Sequence, residues 1–284
     1  MRSNTDVVIT GLGFEFPGAP TTTVCSLDPQ SIRPEAFDPK TRVARKGVRF
    51  KDHATLLGMS AALQAILDAG LPAESDKQIN APLFGVVVSC NLGNLDTVAN
   101  VARTIRAEHV NAASPMDLPN ASSNVMASSI SIRHGLQGPN LMICNGSTSS
   151  LDALHLAANC IRAGRADRML VVGVEVDNDV VRMLPQAAAQ WFNGAVAVIL
   201  ESSDSAQSRG GSVLGKLGAY TFSKDTSDVA PVIDVTPHVG ESYGAEGLVQ
   251  LAAVLQEKRK GGKFLLACGH KFGDHISVTL ELEC

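Results

Sequence analysis

The chain has 284 residues, of which 45% are hydrophobic and 18% charged, with a formal net charge of −4. These proportions describe a globular chain able to build one substantial core and exclude a disordered one. The small negative charge argues against a nucleic-acid partner, and no apolar run reaches membrane-spanning length, so a cytoplasmic protein without membrane insertion is expected. In chain order, the β-branched run at residues 6–10 predicts a buried strand, closed by a turn at Gly11-Leu12-Gly13. Residues 21–51 are polar, with a basic cluster of Arg42, Arg45, Lys46, Arg49 and Lys51, and read as loop and short helix. A mostly apolar helix follows over 54–69, capped by Gly70. Strands are expected at 83–89, 141–144, 168–174 and 195–201, and helices at 96–108, 122–136 and 151–163. The remainder repeats the theme in shorter form, with strand-like runs at 212–219 and 232–235, a helix over 247–258, and strands at 263–268 and 275–282. This alternation predicts a layered α/β fold.

The six cysteines (Cys25, Cys90, Cys144, Cys160, Cys268 and Cys284) have no metal-ligand spacing and read as reduced, mostly buried thiols. The run from Gly138-Pro139 through Leu141, Met142, Ile143 and Cys144 to Asn145-Gly146-Ser147-Thr148-Ser149 reads as strand, sharp turn and helix start. That geometry exposes a side chain at a positively polarised helix end. Cys144 lies three residues before the turn, within the expected strand, so Ser147 is the candidate residue at its apex.

This run resembles the nucleophile loop of the β-ketoacyl-acyl carrier protein synthases, members of the thiolase superfamily. Four further segments resemble that family in the same order: residues 7–13; Pro119-Asn120 through Gly135-Leu136-Gln137-Gly138; residues 152–174; and residues 193–201. The resemblance implies a thiolase-like fold, an α-β-α-β-α sandwich of two pseudo-duplicated halves. Here they would be residues 1–205 and a truncated second half, 206–284. It also implies chemistry by one cysteine and two histidines, or by one histidine and an asparagine in a related branch, with no cofactor and no metal. At the cysteine position this chain carries Ser147. The second-histidine motif matches residues 236–247, but with Pro237 for lysine and Glu241 for histidine. The first-histidine segment has no counterpart.

Ser147 and Glu241 are therefore read as vestigial, because a serine hydroxyl without a base is no nucleophile and a carboxylate repels a developing enolate. The resemblance then implies a non-catalytic subunit, a chain length factor, pairing with an active ketosynthase and shaping its acyl tunnel. The implied setting is type II polyketide or fatty-acid-like biosynthesis, with size and the pattern of losses resembling aryl polyene pathways. The interface would use the edge strand Leu141, Met142, Ile143 and Cys144. Pro115, Met116, Asp117 and Leu118 would reach the partner's tunnel. Phe272, in the run 269–275, matches the family's gating phenylalanine, and the basic cluster is a candidate contact for an acyl carrier protein. The alternative is a serine-dependent acyltransferase or hydrolase using Ser147, with His238 or His155 as base. A metal site at His270, Asp274 and His275 is a weaker reading of the same tight loop.

Overall fold

The computed structural model of the chain describes residues 6–19, 23–43, 47–72, 83–184, 190–223, 233–257, 261–269 and 275–282. Eight strands are present: β1 (Val7–Glu15), β2 (Phe84–Ser89), β3 (Asn140–Ile143), β4 (Arg168–Glu175), β5 (Gly194–Ser202), β6 (Gly215–Ser223), β7 (Gly262–Gly269) and β8 (His275–Leu282). Five longer helices accompany them: α1 (His53–Asp68), α2 (Leu95–Glu108), α3 (Val125–His134), α4 (Ser149–Arg162) and α5 (Glu246–Gln256). The strands form one mixed sheet in the order β3-β2-β4-β5-β1-β6-β8-β7. β2 runs parallel to β3 and β4, and every other pairing is antiparallel.

Strands β2, β4 and β5 are nearly continuous apolar runs because helices cover both of their faces. Val86, Val88, Leu170, Val172 and Ile199 pack with α1 and α3 in one core, while Val87, Met169, Val171 and Val198 pack with α4 and α5 in the other. The second core also takes Leu266, Cys268, Ile276, Val278 and Leu280 from β7 and β8. Helices α4 and α5 thus share one core with both wings of the sheet, giving the order helix, sheet, helix, sheet. The mixed α/β, thiolase-like architecture is as expected, but the fifth, outer helical layer has no counterpart among the described residues. The sequence of β8 explains this: Ile276, Val278 and Leu280 point into the core and alternate with Ser277, Thr279 and Glu281 on a polar outer face. Lys263 pairs with Glu281 across that face at 2.9 Å. The expected division after residue 205 falls inside a short helix, Ser203–Ser208.

Two sequence expectations need correction. Gly11 and Gly13 do not close a turn; β1 runs through both. A Cβ on Gly13 would stand 2.2 Å from the Ala61 carbonyl oxygen, and one on Gly11 2.3 Å from that of Ala65. The glycines let β1 lie directly on the backbone of α1. Of the run expected as a strand at 232–235, residues 233–235 are irregular. There Asp234 accepts from the Thr236 N–H at 3.0 Å and starts a one-turn helix, Thr236–Val239. Gly70 closes α1 as expected, with φ +67° and the Leu71 N–H donating to Ile66.

Candidate functional site

The turn after β3 carries Ser147. Gly146 takes φ +69°, a conformation open to a residue without a side chain, and a short helical turn, Gly146–Thr148, leads into α4. Ser147 is buried (7% exposed), and among the described residues its hydroxyl has no hydrogen-bond partner. The turn itself is well tied. Asn91 Oδ1 accepts from the Gly146 N–H at 2.9 Å and its Nδ2 donates to the Gly146 carbonyl at 3.2 Å. The Asn145 N–H donates to Ser149 Oγ at 2.6 Å, and that hydroxyl donates to the Gly146 carbonyl at 2.7 Å. Asn91 is in turn held by Glu175 at the end of β4, whose two oxygens accept from the Asn91 and Leu92 N–H groups at 2.8 and 2.9 Å. Burial pushes the Glu175 carboxyl up to about 7, against the pull of those N–H donors toward the charged form.

The second loop interlocks with the first. Glu241 exchanges backbone hydrogen bonds with Gln190 and Phe192 at 2.9 Å each, and its carboxylate accepts from the Tyr243 N–H at 3.0 Å. Gly244 sits against the clamp: a Cβ there would lie 1.9 Å from Asn91 Nδ2 and 2.6 Å from Glu175 Oε1. Its carbonyl accepts from Ser89 Oγ at 2.6 Å, and the Gly247 N–H donates to Ser150 Oγ at 2.9 Å. The structure therefore brings residues 241–247 onto the Ser147 turn. Glu246, the first residue of α5, is pushed up to about 7 by burial and by the Glu241 carboxylate beside it.

Neither candidate base reaches the serine. The His155 ring stacks on Tyr220 (centroids 3.9 Å) and its Nε2 pairs with Asn159 at 2.9 Å. Tyr220 donates to Asp152, which also accepts from Thr148 and Asn145. His238 Nδ1 faces the Leu27 carbonyl at 3.4 Å. Cys144 lies one residue beyond β3 and is exposed, contrary to the expected buried position inside the strand; its thiol donates to the Cys90 carbonyl at 3.0 Å. Cys90 and Cys268 are buried, and Cys25 and Cys160 are half-buried. Sequence reasoning missed Asn91, Glu175 and Glu246. The available signal was a carboxylate terminating the apolar run of β4, since a buried acid there has to find donors.

Leu141, Met142 and Ile143 are half-buried in β3, an edge strand that among the described residues pairs with β2 alone. Pro115, Met116, Asp117 and Leu118 are exposed, and Asn120 behind them donates to the carbonyls of Phe50 and Met116. Of the basic cluster, Arg42 lies 3.7 Å from Glu15, Arg49 stacks over Phe50, and Arg45 and Lys46 fall outside the described residues. Phe272, His270 and Asp274 fall outside them too, and no described helix is long and apolar enough to cross a membrane.

Residues 29–204 match the N-terminal domain of beta-ketoacyl synthases. The chain belongs to the beta-ketoacyl synthase family. It is similar to 3-oxoacyl-acyl-carrier-protein synthase 2 of Vibrio cholerae, 26% identical over 215 residues that cover 67% of this chain and 51% of that protein. The Rhizobium meliloti protein of the same name is 26% identical over 265 residues, covering 84% and 61%. The chain thus spans from about half to three-fifths of the length of these curated relatives. In three dimensions it superposes on the ishigamide ketosynthase/chain length factor with a TM-score of 0.76 at 19% identity, covering 98% of this chain and all of that one. A type II polyketide ketosynthase in complex with its acyl-carrier protein gives 0.77 at 13%, with the same coverage. These likenesses establish the shared fold.

Proposed function

We propose that this chain is a non-catalytic member of the family, a chain length factor that pairs with an active β-ketoacyl-acyl carrier protein synthase and shapes its acyl tunnel. One observation carries the reading: the apex of the nucleophile turn is a buried serine whose hydroxyl has no partner among the described residues. Acyl transfer through serine needs a base at about 3 Å, and both candidate histidines are engaged elsewhere. Glu241 in the histidine position adds negative charge where the family's chemistry develops it.

The surface supports a partner. One side of β3 is unpaired among the described residues, so a second sheet can join it edge to edge. Met116 (52% exposed) and Leu118 (42%) project beside α2, whose Val98 and Ile105 are also exposed, as is Val110 after it. Such a cluster of exposed apolar side chains marks an interaction surface. In this reading, residues 206–284 are a shortened second half, the carrier protein docks through the complex, and the setting is an aryl polyene-type pathway.

The test is co-expression with a complete ketosynthase encoded nearby. A stoichiometric complex that condenses malonyl units, with this chain inert alone, is the expected result. Recovery of the isolated chain acylated on Ser147 and turning over would overturn it in favour of the serine acyltransferase or hydrolase.

A further inference from the structure

Cys90 and Cys144 stand opposite each other where β2 and β3 end. The two strands run parallel, with Val88 opposite Met142 and Ser89 opposite Ile143. The Cys90 N–H continues that ladder by donating to the Ile143 carbonyl at 3.3 Å, so the next pair in register is Cys90 and Cys144. Side chains two apart on a strand share a face. Val88 and Met142 both pack into the core under α1 and α3, so both thiols leave the sheet on that side.

Local contacts hold the two sulfurs near one another. The Cys144 thiol already lies 3.0 Å from the Cys90 carbonyl oxygen. Ser123 hydrogen-bonds the Cys144 thiol and, with Cys90, lines a narrow crevice. On the other side Cys90 has no room, since a Cβ on Gly93 would run into its sulfur. Neighbouring strands lie about 4.8 Å apart. That is inside the roughly 4.4–6.8 Å between Cα atoms that a disulfide spans. Rotation of the Cys144 side chain off the carbonyl is the movement required.

The two thiols are unequal. Cys144 is exposed, whereas Cys90 is buried with Glu175 Oε2 at 3.9 Å from its sulfur. An oxidant in solution therefore meets Cys144 first. We infer that Cys144 and Cys90 are a redox pair that closes to a disulfide when the unpartnered chain meets hydrogen peroxide. In the first step the Cys144 sulfur attacks the O–O bond and takes one oxygen, becoming a sulfenic acid while water leaves. In the second, the Cys90 sulfur attacks that sulfur and the S–O bond breaks. The departing hydroxide takes the Cys90 proton by way of Glu175 and leaves as a second water. Two thiols are oxidised and one peroxide is reduced. Burial pushes both thiols up, so the reaction is slow at neutral pH and quickens as pH rises. The bond ties the strand that feeds the Ser147 turn to the strand that feeds Asn91, which holds the Gly146 N–H of that turn. It needs no second subunit, so it stands apart from the proposed function.

The test exposes the whole chain to excess hydrogen peroxide at about pH 8, where more of each thiol is ionised. The product is unfolded with N-ethylmaleimide present, digested and mapped by tandem mass spectrometry. A peptide pair joining Cys90 to Cys144, released by dithiothreitol, is expected. Closing a loop of this length should raise the melting temperature of the oxidised chain by about 4–10 °C. In Cys144→Ser, a like-sized change at an exposed position, Cys90 should stay reduced under the same treatment. In Cys90→Ala, Cys144 should run on to the sulfinic acid, because no second thiol intercepts it. Cys144 left unreacted in the parent, carried to the sulfinic acid, or joined to Cys160 or to a second chain would overturn the inference. Oxidation of Cys90 in Cys144→Ser would do the same. A cross-linked chain that melts no higher than the reduced one would show a bond formed from unfolded molecules, and would overturn it too.

Discussion

Replacing Glu246 by glutamine should stabilise the protein, and only above a particular pH. The Glu246 carboxyl is pushed from its ordinary 4.5 up to about 7 by burial and by Glu241, so the folded state holds its proton where the unfolded state has released it. A folded state that binds more protons loses stability as pH rises, here from 4.5 to about 7, and the loss is complete above that window. At about 1.4 kcal/mol per pH unit, the gap amounts to roughly 3 kcal/mol at pH 8. Glutamine keeps the acceptor that Gln250 Nε2 uses at 3.2 Å, and it cannot ionise. Urea denaturation of Glu246→Gln against the parent should therefore give equal midpoints near pH 4.5 and a difference growing to between about 1 and 3 kcal/mol at pH 8. Glu241→Gln should recover a smaller part of the same difference, since it removes the neighbouring charge and leaves the burial. A difference independent of pH, or one that grows on acidification, would refute the assignment of a buried acid at the start of α5.

The opposite pH dependence belongs to Glu201. Burial works against its charge, but Arg209, Thr10 and Arg168 all donate to it and hold it down at about 2. Its contribution is present above pH 4.5 and is lost as pH falls from there toward 2; Glu201→Gln should cost about 3–5 kcal/mol at pH 7 by leaving two arginines uncompensated, read by chemical denaturation. Gly244→Ala should cost about 1–3 kcal/mol, because its methyl would displace the Asn91 amide from the Ser147 turn; an unchanged melting curve would mean that the clamp has slack. Ser147→Ala should leave product output of the assembled complex unchanged, and a loss of product with the complex intact would reinstate serine chemistry. Leu118→Trp should shorten the product of the complex, measured by mass spectrometry of released chains; an unaltered length distribution across this variant and Met116→Trp would remove the tunnel-wall role.

Much of the sheet was readable because burial leaves a local imprint. Strands β2, β4 and β5 carry no polar alternation because both faces are covered, and β8 alternates strictly because one face is not. The polar outer face of β8 is the feature that the five-layered expectation overlooked. What misled were residues whose meaning is nonlocal. Gly11 and Gly13 have the composition of a turn, and only the approach of α1 shows that they are strand residues lacking a side chain for packing reasons. The Ser147 turn was legible as strand, turn and helix, and its match to the segment at 236–247 located the second loop. The clamp between them was not legible, since Asn91 and Glu175 are 84 residues apart and Asn91 and Gly146 are 55 apart. Two polar residues in separate turns give no sign that they share a hydrogen bond.

The place of β1 has a consequence for synthesis on the ribosome. Strand β1 is flanked by β5 and β6, with Val7 opposite Ser202 on one side and Leu217 on the other. At roughly 5–20 residues per second, its neighbours emerge on the order of 10 to 40 s after it. Throughout that interval Val7, Val8 and Ile9 present a sticky ribbon with both edges open. A nascent chain of this kind needs shielding until β5 and β6 are translated, and slowing elongation between β1 and β5 should lower the soluble yield more than slowing it after β6.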